Sequence, residues 1–180
     1  MPSISPSHPT KEAADLVDRL IVDWLAEIPT LDVVGVGLAG RLSLIGARME
    51  SEAARALKPY FRNYSDYDIV ATLRRSGPPY QLLPGQLLQT IPLTSGGLTA
   101  ALNRLEQFGL IERIRSDSDR RSKAAQLTSK GVEVSEQAAR IRFATARTQV
   151  ECLDENERQM LTQLLRKIWI ANEFSDESPR

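Results

Sequence analysis

Apolar residues return every three to four positions along most of this chain, and the breaks in that period divide it into elements. Ala13, Leu16, Val17, Leu20, Ile21, Trp24, Leu25 and Ile28 share one helical face. Thr10 is in place as an N-cap and Pro29 closes the helix. Residues 33–40 mix Val, Gly and Leu without a period and read as a connection. From about Leu38 to Arg62, the spacing of Leu42, Ile45, Met49, Ala53, Ala56 and Tyr60 predicts a second long helix, disturbed near its end by Pro59.

Shorter elements follow. Ser65 is placed to cap a helix with Ile69, Val70 and Leu73 on its apolar face, ended by Gly77-Pro78-Pro79. Tyr80 to Leu83 suits a short strand, and Pro84 to Thr90 a short helix with proline in its first turn. After Pro92, Thr94 or Ser95 caps a helix running to about Phe108, where Gly109 supplies a left-handed end. Leu98, Ala101, Leu102 and Leu105 line one face of it; Ser95, Thr99, Ala100, Asn103 and Arg104 line the other. Leu110 to Arg115 and Lys123 to Leu127 are strands flanking a polar turn, a hairpin. Thr128 opens a long helix through Val150. Asp154 with Glu157 forms a capping-box start to a last helix striped by Met160, Leu161, Leu164, Leu165, Ile168 and Trp169.

Charge sharpens this picture. Lys and Arg number 23 and so do Asp and Glu, so no global field draws the chain to phosphates and nucleic-acid binding has to be local. Between Glu112 and Lys123 the hairpin carries five basic against three acidic side chains. Alone, such a run is as readily a solvated turn as a DNA contact. A single Cys152 and a single His8 assemble no metal site, and no cofactor is called for. Cys152 has no activating neighbour and reads as a passive thiol. No nucleophile with its base, paired carboxylates or phosphate loop occurs at persuasive spacing, which argues against an enzyme. The Ser/Pro-rich start is not a signal peptide, and no apolar run reaches membrane-spanning length, so a cytoplasmic protein without a membrane partner is expected.

Two short helices joined by a proline-containing turn, then a basic hairpin, is the order of a winged helix-turn-helix in a mainly α (α+β) chain. Gly96 and Gly97, each costing roughly 1 kcal/mol relative to Ala inside a helix, mark either a close approach to a ligand or a loosely formed first turn. The organisation expected is a leader over 1–10, N-terminal helices over 11–62, the winged domain over 63–128, C-terminal helices over 129–174 and a tail over 175–180. The N- and C-terminal helices carry more apolar surface than the winged domain covers, so they form a dimerisation domain, with intramolecular packing as the rival. Leu16, Leu20, Trp24, Leu161, Leu164, Leu165, Ile168 and Trp169 are its expected interface.

Particular stretches carry a resemblance. Tyr67-Asp68-Ile69-Val70-Ala71-Thr72-Leu73-Arg74-Arg75-Ser76-Gly77-Pro78-Pro79, Leu93-Thr94-Ser95-Gly96-Gly97-Leu98-Thr99 and Leu102-Asn103-Arg104-Leu105-Glu106 resemble the multiple antibiotic resistance regulator (MarR) family. So do Gly109-Leu110-Ile111-Glu112-Arg113, Asp119-Arg120-Arg121 and Leu127-Thr128-Ser129-Lys130-Gly131, in family order and spacing. The resemblance implies a homodimeric repressor on double-stranded DNA, each recognition helix in a major groove of a pseudo-palindromic operator. Thr94, Ser95, Gly96, Thr99, Ala100, Asn103 and Arg104 would serve that helix; Arg115, Asp119, Arg120, Arg121 and Lys123 would serve the wing, with Arg121 in the minor groove. A small aromatic or anionic effector is implied between arm and winged domain, with Trp24, Arg41, Tyr60, Phe61, Tyr64 and Tyr67 as candidate cleft residues. The second wing strand, Ser122-Lys123-Ala124-Ala125-Gln126, departs from the family's large apolar pattern and is expected to bury little and move more. The alternative function is a winged-helix protein-interaction module without specific DNA binding.

Overall fold

The computed structural model describes residues 14–115 and 123–173. It divides into two compact units, one reaching to Arg48 and the other beginning at Met49.

The first unit holds α1 (Leu16–Glu27) and the opening turns of α2 (Val34–Leu57). Thr10 lies outside the described residues, and the cap of α1 is Asp15. Its Oδ1 accepts from the Asp18 amide at 2.9 Å while Asp18 Oδ2 accepts from the Asp15 amide at 3.0 Å. Arg41 of α2 donates from Nε to Asp15 Oδ2 at 2.9 Å and from Nη2 to Asp18 Oδ1. The hydrogen bond from Arg41, then that from the Asp15 amide, holds the Asp18 carboxyl below the usual carboxylate range. The expected connection over 33–40 is helix from Val34 onward instead. The side chain of Asp32 accepts from the Val34 amide at 3.1 Å and starts α2 there. Glycine lowers intrinsic propensity, but packing overrides it. A Cβ at Gly37 would lie 3.2 Å from Ile21 Cδ1, and one at Gly40 3.5 Å from Val17 Cγ1, so the small residues let α1 lie close.

The second unit begins with the end of α2 and continues through α3 (Tyr64–Arg75), β1 (Gln81–Leu82), α4 (Pro84–Leu88), α5 (Ser95–Gln107), β2 (Ile111–Arg115), β3 (Lys123–Leu127), α6 (Ser129–Thr148) and α7 (Glu155–Glu173). Asn63, not Ser65, is the N-cap of α3. Gly77 at φ +78° and Tyr80 at φ 62° turn the chain from α3 into β1. Leu57, Ile69, Val70, Leu73, Leu87, Leu98, Leu102, Leu105 and Ile111 are buried together as one core. α3 packs on α6 and β3, and α5 on β2.

The sheet order is β1-β3-β2, antiparallel throughout, with Leu82 opposite Ala125 and Ile114 opposite Ala124. This corrects the expectation for the second wing strand. β3 is the central strand, hydrogen-bonded on both sides, and Ala124 and Ala125 are each 1% exposed although neighbouring strand residues point to opposite faces. Small side chains here are closely covered on both faces. α7 begins with reciprocal hydrogen bonds between Asp154 and Glu157, and none of its residues is buried.

Candidate nucleic-acid interface

α5 is the element on which the site is built. Thr94 caps it, Oγ1 accepting from the Gly97 amide at 3.1 Å, and Gly109 at φ +68° follows its end. Leu98, Ala101, Leu102 and Leu105 turn into the core, which fixes the roll of the helix. Ser95, Gly96, Thr99, Ala100 and Asn103 are thereby left on the exposed surface. The Thr99 hydroxyl donates to the Ser95 carbonyl at 2.9 Å, and the residue stays exposed. A Cβ at Gly96 would meet nothing within 4 Å, whereas one at Gly97 would lie 3.2 Å from the capping Thr94 oxygen. Gly97 therefore serves the cap, and Gly96 serves the surface.

Two side chains assigned to that surface are held by partners. Arg104 donates to Asp66 from Nη2 at 2.6 Å and from Nε at 3.3 Å, and the Asp66 side chain is 2% exposed. With the Asn63 amide turned to satisfy its neighbours, its oxygen also accepts from Arg104 Nη2 at 3.1 Å. The guanidinium, its side chain 25% exposed, neutralises a buried carboxylate of α3 and ties α5 to it. Asn103 remains exposed, but its Oδ1 accepts from Arg113 Nη2 on β2 at 2.9 Å, and Glu106 lies 3.7 Å from Arg113 Nε.

Neither Asp66 nor Arg113 stands out as a site residue from the sequence alone. A signal existed for Asp66, which falls on the same helical face as Ile69, Val70 and Leu73; a carboxylate on a buried face requires a cation.

At the hairpin, Arg115 pairs in register with Lys123, and Lys123 is exposed. Asp119, Arg120 and Arg121 lie outside the described residues. The hairpin root is tied to the rest of the unit by Gln126 Nε2, which donates to the Pro79 carbonyl at 3.0 Å, and by the Leu127 amide, which donates to the Tyr80 carbonyl at 3.1 Å.

The candidate effector residues are distributed. Tyr64 and Tyr67 line a concavity with Asp68, Arg75 and Arg142, where Arg142 Nε donates to the Tyr64 hydroxyl at 3.1 Å. Burial, and then Glu50, push the Asp68 carboxyl above its usual range; burial, and then Tyr64, do the same to the Tyr67 phenol. Tyr60 and Phe61 line a different concavity. In the first unit Trp24 lines an apolar hollow with Ile21, Ile28 and Leu31, and Arg41 is engaged by its two aspartates. Among the described residues no group of three metal-ligating side chains forms a metal site, and no helix is long and apolar enough to cross a membrane.

Comparison with known proteins bears on this geometry. The family model described as MarR family matches residues 63–122. The regulator PecS of Dickeya dadantii is 34% identical over 146 residues, covering 81% of each chain. A mutant of MarR from E. coli, solved in complex with operator DNA, superposes with a TM-score of 0.65 at 20% identity, over 86% of this chain and 99% of that one. The organohalide-sensing regulator RdhR in its 2,4-dichlorophenol-bound form gives the same TM-score and identity over 79% and 82%.

Proposed function

The chain belongs to the MarR family of winged helix-turn-helix transcriptional regulators, and from that premise we propose that it is a homodimeric, effector-responsive repressor of the cytoplasm that binds a pseudo-palindromic operator. The observation that carries this reading is the two-sidedness of α5. Its apolar face is buried to the last residue, while Ser95, Gly96, Thr99, Ala100 and Asn103 form an exposed strip of small and polar side chains directly before the hairpin. Such a strip lets a helix approach base edges closely; a threonine or alanine methyl suits a thymine methyl, and an amide suits a base acceptor. Thr94 and Ser95 stand at the helix start, where backbone amides face a phosphate. In this reading Arg115, Arg120 and Lys123 contact backbone phosphate, and Arg121, oriented by Asp119, enters the minor groove. Arg104 acts from behind by holding α5 on α3.

Leu16, Leu20 and Trp24 of α1 and Leu161, Leu164, Leu165, Ile168 and Trp169 of α7 are all exposed in the single chain, Trp169 at 68%. Burial against a second copy supplies the cover they lack. The operator-bound MarR structure supports the DNA partner, and the dichlorophenol-bound RdhR structure supports a small-molecule effector.

Selection of binding sites from a random duplex pool, followed by footprinting, tests the reading. The expected product is a pseudo-palindrome with half-sites about one helical turn apart. Arg121→Ala is expected to weaken binding several-fold and to make its salt dependence shallower. Enrichment of no sequence, with equal affinity for all duplexes, would favour the protein-interaction module instead.

A further inference from the structure

Asn103 lies one helical turn beyond Thr99 and two beyond Ser95, at the far end of the exposed strip of α5. The orientation of its amide is set from the sheet. Arg113 of β2, opposite Ala125 in the register, donates from Nη2 to Asn103 Oδ1 at 2.9 Å. A guanidinium carries donors and no acceptor, so the amide atom it touches is the oxygen and not the nitrogen. Asn103 Nδ2 is thereby turned away from Arg113, and among the described residues it has no hydrogen-bond partner.

Arg113 is a firm base for this contact. Its side chain is 22% exposed, its Nε is buried without a hydrogen-bond partner among the described residues, and Glu106, three residues after Asn103 on α5, brings Oε2 within 3.7 Å of that Nε. The bond to Asn103 is the one that the guanidinium makes among the described residues. Breaking it would loosen a charge-assisted contact on a group whose Nε is already orphaned.

The chemistry left on the surface is one-sided. An asparagine free to turn offers adenine a donor for N7 and an acceptor for N6, whereas one held through its oxygen offers the two N–H donors of its nitrogen. In the major groove guanine presents two adjacent acceptors, N7 and O6, adenine and thymine present one each, and cytosine presents a donor.

We propose that Arg113 is a positioning residue that determines sequence specificity: by holding Asn103 through its oxygen, it makes Asn103 a reader of guanine. Base selection rests on the operator binding proposed above; the orientation of the amide does not.

The test selects operators from a random duplex pool with the full chain and with four variants, while urea denaturation follows the fold of each. The wild-type chain is expected to select guanine at one position of each half-site, and to bind roughly tenfold more weakly when adenine replaces it. Asn103→Ala is expected to erase the preference at that position and to keep it at the others. Asn103→Asp leaves one oxygen on Arg113 and turns the other outward as an acceptor, so cytosine is expected in place of guanine. Arg113→Leu frees the amide and is expected to admit adenine there, whereas Arg113→Lys, which still donates, is expected to retain guanine. Guanine kept by Arg113→Leu, a loss in that variant spread evenly over all positions, or adenine selected by the wild-type chain at the position that Asn103→Ala erases would each overturn the proposal. So would Asn103→Ala with every preference intact. Should Arg113→Leu fail to fold, Asn103→Asp decides: cytosine supports the proposal and unchanged guanine overturns it. These failures leave operator binding standing, whereas a wild-type chain that enriches no sequence would overturn the operator reading and base selection together.

Discussion

Asp66 and Arg104 join α3 to α5 through a salt bridge of 2.6 Å. Arg104 falls at the edge of the strip defined by Ser95, Thr99 and Asn103, and its length allows it to reach either outward or back to α3. The carboxylate of Asp66, 2% exposed, favours the second, since an unpaired buried charge costs several kcal/mol. Arg104→Ala is therefore expected to destabilise the fold by roughly 3 kcal/mol, measured by urea denaturation, because it strands that carboxylate. A loss below about 0.5 kcal/mol, the scale of an exposed pair, would show that the contact is solvent-screened and that Arg104 is available to DNA. No sequence period indicates a partner 38 residues away in another helix, which is why the pairing was not legible beforehand.

Elements whose ends are set by local chemistry were legible, and those set by distant packing were not. Thr94 and Thr128 cap α5 and α6 with their own hydroxyls, Gly109 follows α5 in the left-handed region, and Asp154 with Glu157 opens α7; each signal lies within a turn of the boundary it marks. The first two turns of α2 were hidden because Gly35, Gly37 and Gly40 disfavour helix locally while α1 packs against two of them. The burial of β3 is hidden for a related reason: alanine signals little burial until the strands at both its edges and the helices packed on it are seen. Thr94→Ala is expected to lower stability by about 1 kcal/mol through loss of the cap to the Gly97 amide. The same variant should weaken operator binding more than it weakens folding, because the frayed turn carries Ser95 and Gly96. Equal fractional losses in thermal unfolding and anisotropy would mean that the first turn makes no DNA contact.

At the level of the molecule, the apolar stripe of α7 is left open by the described residues, with Leu161, Leu164 and Leu165 between 38% and 54% exposed. Replacing those three leucines with glutamate is expected to convert a dimer, measured by light scattering, into a monomer that keeps its near-ultraviolet signature. Because each half-site supplies only part of the binding energy, that monomer should also lose nearly all specific operator affinity. A wild-type chain that scatters as a monomer would overturn the assembly. The sheet bears on the same question from the other side. Its two outer strands are the two-residue β1, with Pro84 two positions after its end, and β2, which bears Glu112, Arg113 and Arg115 along its length. A strand that is short or studded with charge makes a poor template for another chain. The long hydrogen-bonding strand, β3, is already spent on both sides. The sheet edges of the described residues thus offer little to edge-to-edge growth into fibrils, and in the proposed dimer self-recognition falls to helices, where it closes on a pair and stops.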